Sequence, residues 1–280
     1  MQNLIVRALT GAVYVLLLVG CTVYSPVSAF FFFALVAAAT LWEFGTLMNR
    51  HAGARLPRPI NAMAGVVLIA ATWLSCIASP QTAQMFSLYG MLLLYILVSE
   101  LYRKAHAPLR NWTLCFASQL YIAVPFALLP LLSIVYDAPT GALAYNWIYP
   151  LALFIFLWVN DTFAYLCGCS LGRYIPYKLF PRISPGKSWA GSIGGGLFTL
   201  AAAYIIWRWQ PETMPLLRWM GFALVVVVFG TWGDLVESLI KRQLGIKDSG
   251  HVLPGHGGLL DRFDSALLAI PASVIYFMLT

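Results

Sequence analysis

Apolar side chains in this 280-residue chain gather into long blocks, and polar ones fall into the short gaps between them. A helix of about 20 apolar residues crosses about 30 Å of hydrocarbon. Nine stretches qualify, at about 4–22, 27–48, 60–79, 84–102, 113–136, 146–168, 188–208, 215–236 and 264–280. The pattern predicts an all-α fold, a polytopic transmembrane helical protein of about nine spans. We read residues 1–280 as a single integral membrane domain, with amino-terminal helices over 1–140 and the chemistry-bearing helices and loops over 141–280.

Charge placement gives the blocks an orientation. Arg7 precedes the first span; Arg50, Arg55 and Arg58 follow the second; Arg103, Lys104 and Arg110 follow the fourth. Arg173, Lys178, Arg182 and Lys187 follow the sixth, and Lys241, Arg242, Lys247 and Arg262 follow the eighth. Fifteen of the seventeen Lys and Arg thus share one side, and only Arg208 and Arg218 take the other. By the positive-inside rule that side is the cytoplasm, which puts the amino terminus inside and the carboxyl terminus outside.

Composition agrees with lipid as the solvent. Hydrophobic residues make up 61% of the chain and charged ones 10%, against about 25% charged in soluble domains. The net charge of +7 is accounted for by topology and contact with anionic lipid. No basic run interleaved with aromatics argues for nucleic acid. Cys21, Cys76, Cys115, Cys167 and Cys169 lie in or beside apolar stretches, without the spacing of a zinc site. Leu18-Val19-Gly20-Cys21 resembles a lipoprotein cleavage box, but eight more spans follow, so the first span is read as a retained helix.

Ionisable groups inside spans are costly and mark function. Asp161 lies near the inner end of span six and Asp234 near that of span eight, neither with a basic neighbour in sequence. Glu43 and Glu100 also sit near inner ends, where the simpler expectation is pairing with Arg50 and Arg103. If span eight continues as a helix, Asp234, Glu237, Ser238 and Lys241 share a face. The next loop carries Lys247 and Asp248, then His256, Gly257 and Gly258, then Asp261, Arg262 and Asp264. Acids interleaved with bases around a glycine turn suit a metal–phosphate site. Carboxylates hold Mg2+, and cations and amides hold phosphate oxygens. An Asp261 that only caps the last helix is the bland alternative. Ser184-Pro185-Gly186-Lys187-Ser188 ends like a P-loop, yet Pro181 stands where its first glycine belongs and no strand is expected before it. Lys187 at a helix start can still meet a phosphate. Gly191, Gly194, Gly195 and Gly196 suit close helix packing.

The run from Ser238 to Asp264 resembles the phosphatidate cytidylyltransferase (CDP-diacylglycerol synthase) pattern at seventeen positions across 27 residues. These include Lys241-Arg242, Lys247-Asp248, His256-Gly257-Gly258 and Asp261-Arg262-Phe263-Asp264. Val159-Asn160-Asp161-Thr162 and Ile183-Ser184-Pro185-Gly186-Lys187-Ser188-Trp189 are similar to two upstream motifs of that family. Phe163 stands where a small residue is usual, and Ala190 where a polar one is, departures that bear on pocket shape.

The resemblance implies transfer of the cytidylyl group of CTP to phosphatidic acid, in phospholipid biosynthesis, with pyrophosphate released. It implies Mg2+, with room for a second cation, held by Asp234 and Asp261 with Asp264 or Asp161 assisting. Asp234, Asp261, Lys241, Lys247 and Arg262 are the expected catalytic set. Lys187, Ser188, Ser238, Arg242, His256, Gly257 and Gly258 are expected at substrate phosphates. The expected partners are CTP, phosphatidic acid and the lipid bilayer, with no nucleic acid and a homodimer allowed. The expected setting is a bacterial cytoplasmic membrane, with the site facing the cytoplasm.

A cation-coupled transporter is the rival class, and it calls for acids near the midplane and on both sides. Here Asp137 and Glu212 are the only outside acids, both in loops. A CDP-alcohol phosphotransferase would need an Asp-Gly-x2-Ala-Arg motif that the chain lacks. A non-catalytic scaffold would not need the ordered Asp/Lys/Gly loop.

Overall fold

The computed structural model describes residues 2–77, 81–104, 107–137, 142–172, 174–175, 177–250 and 257–280. The described residues form nine long helices: α1 (Gln2–Tyr24), α2 (Pro26–His51), α3 (Arg58–Cys76), α4 (Thr82–Tyr102), α5 (Pro108–Ser133), α6 (Ile148–Leu171), α7 (Trp189–Trp209), α8 (Leu216–Gln243) and α9 (Leu260–Leu279). Eight of them, α2 to α9, are long and apolar enough to cross a membrane, and α1 contributes a shorter apolar stretch, Leu9–Tyr24. The all-α membrane fold expected from the hydropathy blocks is the fold observed. Lipid explains why so many large side chains lie exposed: Leu16, Leu35, Leu94, Leu101 and Leu120 each show more than 60% of their surface.

Two short antiparallel hairpins join helices. Strands β1 (Ile134–Asp137) and β2 (Ala142–Tyr145) pair between α5 and α6, and β3 (Lys178–Phe180) and β4 (Ser184–Ser188) pair between α6 and α7. The second hairpin corrects the expectation that no strand precedes Lys187. It is still no P-loop, because β4 closes a hairpin with β3 rather than entering from a parallel sheet.

The chain divides into two compact units, Met1–Trp147 with Leu244–Phe263, and Ile148–Gln243 with Asp264–Thr280. In the first unit, Ser25 opens α2 with a capping box closed by Ser28, and Pro26 takes the first turn. Asn61 on α3 donates to Ser118 Oγ at 2.8 Å, and Gln119 Nε2 donates back to Asn61. A π turn over Gln119–Ala123 lies just before Pro125, which has no N–H to continue the α ladder. Glu100 meets its expected partner, Arg103, at 2.6 Å, and accepts from Asn111 as well. Tyr145 donates to the Thr22 carbonyl, and burial pushes its phenol up to about 12.

In the second unit, glycines set how closely α6 and α7 approach. A Cβ at Gly191 would lie 2.5 Å from the Ala164 carbonyl oxygen, and one at Gly195 would lie 2.7 Å from that of Asn160. The expectation of close packing through this glycine run therefore holds at backbone level. Adding one methyl here forces the helices apart. Gly191→Ala is expected to destabilise the protein by about 1–3 kcal/mol, measured as earlier thermal unfolding in detergent. Gly196→Ala, whose Cβ would meet nothing closer than Val227 at 3.6 Å, is the matched control.

Candidate active site

The antiparallel pairing of α6 with α7 lays the carboxyl half of α6 beside the start of α7. Gly168 there faces Ser188, and Gly194 faces Cys167. Ser188 ends β4 and caps α7, its hydroxyl accepting from Gly191 N at 3.1 Å. The residue before it, Lys187, reaches α8. Its ammonium lies 2.7 Å from Asp234 Oδ2 and 3.3 Å from the Thr231 carbonyl. On the α8 surface Ser238 donates to Asp234 Oδ1 at 3.1 Å, and Lys241 pairs with buried Glu237. The face shared by these four residues, expected from helical spacing, is thus used by two i, i+4 pairs, one hydrogen-bonded and one ionic.

A cavity of about 580 Å³ opens among these elements, with Asp161, Tyr165, Lys178, Lys187, Ser188 and Asp234 in its wall. That volume is in the range of small-molecule sites, about 300–1,000 Å³. Lys187 and Asp234 keep 22% and 32% of their side-chain surfaces exposed, so their charges face the opening rather than a sealed core. Asn160 also lines it, with its Oδ1 buried and without a hydrogen-bond partner among the described residues. Asp264, whose Oδ1 accepts from Ser265 N, lies within electrostatic reach of Asp234, Asp161 and Lys241. Like charges gathered this way repel unless a cation sits among them. Lys187 supplies one at Asp234. Among the described residues no three His, Cys, Asp or Glu side chains close around a single point as metal ligands do.

Asp261, Arg262, Lys247, Gly257 and Gly258 lie in the first unit. Asp261, in the first turn of α9, accepts through Oδ2 from Ser249 N, Ser249 Oγ and Gly258 N at 2.9–3.0 Å. Gly257 has φ +79°, a left-handed conformation that suits glycine, and it turns the chain into α9. Arg262 and Lys247 are exposed. His256 lies outside the described residues. Arg242, in the second unit, donates to the Ile183 carbonyl and ties the end of α8 to the β3–β4 hairpin.

Three residues were not singled out from sequence as site residues. Lys178 reads in sequence only as topogenic charge, yet it lines the cavity. Tyr165 lines it beside Asp161, one helical turn on. Glu43 does not engage Arg50 but holds the loop before α9, accepting from Ser249 Oγ, Leu259 N and Leu260 N. The departures at Phe163 and Ala190 do not shape the cavity wall. Phe163 stacks on Phe198 at 3.8 Å between centroids, and Ala190 is buried.

A family model described as the cytidylyltransferase family matches residues 5–280. The chain belongs to the cytidylyltransferase family. As a cytidylyltransferase it is an integral membrane enzyme that transfers a cytidylyl group, and the match gives the transport reading no support. Its curated relatives include the phosphatidate cytidylyltransferase of Staphylococcus aureus (strain COL), 30% identical over 270 residues, or 95% of this chain and 96% of the relative. Those of Staphylococcus haemolyticus (strain JCSC1435) and Staphylococcus epidermidis (strain ATCC 12228 / FDA PCI 1200) match to the same extent.

Proposed function

We propose that this chain transfers the cytidylyl group of CTP to phosphatidic acid, giving CDP-diacylglycerol and pyrophosphate. The observation that carries the reading is the cavity of about 580 Å³ in which Lys178 and Lys187 meet Asp161 and Asp234, set among helices of membrane length. One reactant is a lipid and the other a water-soluble nucleotide, so the reaction belongs where helix ends meet the headgroup layer. A phosphate oxygen of phosphatidic acid attacks the α-phosphorus of CTP. The bond from that phosphorus to the bridging oxygen breaks, and pyrophosphate leaves with its electron pair. The attacking phosphate is already ionised near neutral pH, so no strong base is required.

The chief barrier is repulsion between two polyanions, and lysines at the cavity wall reduce it. Lys187, paired with Asp234 in the cavity wall, is suited to clamp a phosphate as a point charge. Lys178 offers a second. Mg2+ takes one or two carboxylates together with substrate phosphate oxygens, and we assign it to Asp234 with Asp161 or Asp264, oxygen donors that do not close a three-carboxylate site among the described residues. Bound there, Mg2+ would neutralise phosphate charge and polarise the reacting phosphorus. Asp261 contributes by ordering the turn whose Gly257 and Gly258 would approach a phosphate closely. The bias of fifteen of seventeen Lys and Arg to one side supports a site facing the cytoplasm, and bacterial relatives support the inner membrane.

The test is purified protein in detergent with phosphatidic acid, labelled CTP and Mg2+. Label is expected to enter the lipid phase with one pyrophosphate released per lipid labelled. Label that enters only when another acceptor replaces phosphatidic acid, or release of pyrophosphate with no labelled lipid, would overturn the reading.

A further inference from the structure

Glu43 sits on α2, only 7% exposed, in a chain whose buried carboxylates are few. Burying an ionised carboxylate is expensive unless donors surround it. Among the described residues, its donors all come from a segment more than two hundred positions later. Leu259 N donates to Oε2 at 2.8 Å, Leu260 N donates to Oε1 at 3.2 Å, and the Ser249 hydroxyl donates to Oε1. The two amides belong to the start of α9, where backbone N–H groups lack helical acceptors and a negative charge is favoured. Glu43 therefore acts as the N-terminal cap of a helix to which it is not locally connected.

Two glycines make room for it. A Cβ at Gly250 would lie 3.0 Å from the Glu43 carboxyl carbon, and one at Gly258 would collide with Glu43 Oε1 and the Ser249 hydroxyl. That hydroxyl also lies 3.0 Å from Asp261 Oδ2. A serine has one hydrogen to give, so Glu43 and Asp261 are coupled through a single shared donor. Asp261 in turn holds Gly258 N. A displacement of Glu43 thus reaches both the glycine turn and the Asp261 carboxylate without any contact between Glu43 and substrate.

We propose that Glu43 is a positioning residue for cytidylyl transfer. From α2 it fixes the Gly257–Asp261 turn in the register that receives the nucleotide's phosphates. The proposal rests on the proposed function, in which Gly257 and Gly258 approach a substrate phosphate, and it takes that phosphate to be the nucleotide's. It separates the two substrates, because misplacing the turn weakens the hold on CTP and leaves the lipid headgroup's binding unchanged.

Steady-state kinetics on Glu43→Ala, Glu43→Gln and Gly258→Ala test it, each protein purified in detergent and counted by its folded fraction. The KM for CTP is expected to rise about tenfold or more in Glu43→Ala and Gly258→Ala, and about threefold in Glu43→Gln, which keeps one acceptor oxygen. The KM for phosphatidic acid is expected to stay within about twofold. A merely structural role lowers the amount of active protein and moves neither KM. Unchanged KM for CTP in all three variants would overturn the proposal. Hydrogen exchange at Leu259 and Leu260 gives an activity-free readout, expected to quicken about tenfold in Glu43→Gln. Should the wild-type protein fail to label phosphatidic acid, the functional reading falls, and unchanged exchange in Glu43→Gln would then sink the positioning role separately.

Discussion

Asp234→Asn is expected to lower kcat by about a hundredfold to a thousandfold, the range seen when one preorganised charge-stabilising group is removed. The protein should still insert and keep its thermal transition. The reason for both halves lies in what surrounds the carboxylate. Asparagine has the same shape and keeps an oxygen that can accept from Ser238, whose bond to Asp234 Oδ1 is 3.1 Å. Helix α8 therefore loses no packing. What disappears is the negative charge facing the Lys187 ammonium at 2.7 Å and, on our assignment, an oxygen ligand for Mg2+. The alternative is that the Lys187–Asp234 pair only holds β4 against α8. In that case removing one partner would leave an uncompensated charge, and removing both would relieve it. The double variant Lys187→Met/Asp234→Asn separates the two views. We expect it to be no more active than Asp234→Asn alone, since each side chain has its own part in charge neutralisation. Recovery of turnover in the double variant would mark the pair as structural. Labelled-lipid formation over a range of Mg2+ concentrations is the measurement.

How much of the fold and of the site is legible in the sequence depends on the distance over which each signal acts. Membrane spans are set by local hydropathy, so all nine helices were legible, with ends displaced by a few residues. The largest displacement is at α8, which runs to Gln243 rather than ending near 236 because its last turns carry Glu237, Lys241 and Arg242, which hydropathy reads as loop; α5 likewise starts at Pro108 rather than near 113, its first turns carrying Arg110 and Asn111. The β3–β4 hairpin was not legible. Ser184-Pro185-Gly186-Lys187-Ser188 has no strand propensity, and its pairing is set by Tyr177 and Phe180 accepting from Trp189 and Ile183 at either end. Asp161 and Asp234 stood out in sequence because a carboxylate in an apolar run has no local explanation. The partner of Asp234, Lys187, is 47 residues away, and nothing in the spacing announces it. The role of Glu43 is hidden in sequence for the same reason. Arg50 lies two helical turns off and gives a sufficient local explanation, while the donors that hold Glu43 lie 206 to 217 positions distant. The signal that could have found it was the pair Gly250 and Gly258, glycines in a charged loop that need a close neighbour to explain them.

Asp261→Asn tests the other half of the chemistry, and its loss should look different from that of Asp234→Asn. Asp261 Oδ2 accepts from Ser249 N at 3.0 Å and Gly258 N at 2.9 Å, and lies 3.0 Å from Ser249 Oγ, whose one hydrogen it shares with Glu43. Hydrogen bonds to an ionised carboxylate are roughly twice as strong as neutral ones, so an amide oxygen in the same place holds the turn more weakly. The negative charge also favours the start of α9 through the helix dipole, an effect of about 0.3–1 kcal/mol that the amide gives up. Turnover is expected to fall about a hundredfold, as with Asp234→Asn, but now with a lower thermal transition and with faster exchange at Ser249 and Gly258. The KM for CTP should rise along with the fall in kcat, because the turn we assign to the phosphates is loosened before any chemistry begins. Asp234→Asn should leave exchange in that turn unchanged. If Asp261→Asn exchanges like wild type and still loses turnover, the carboxylate acts on the reactants directly and not through the turn. If it keeps full turnover, the acidic start of α9 is a helix cap and nothing more.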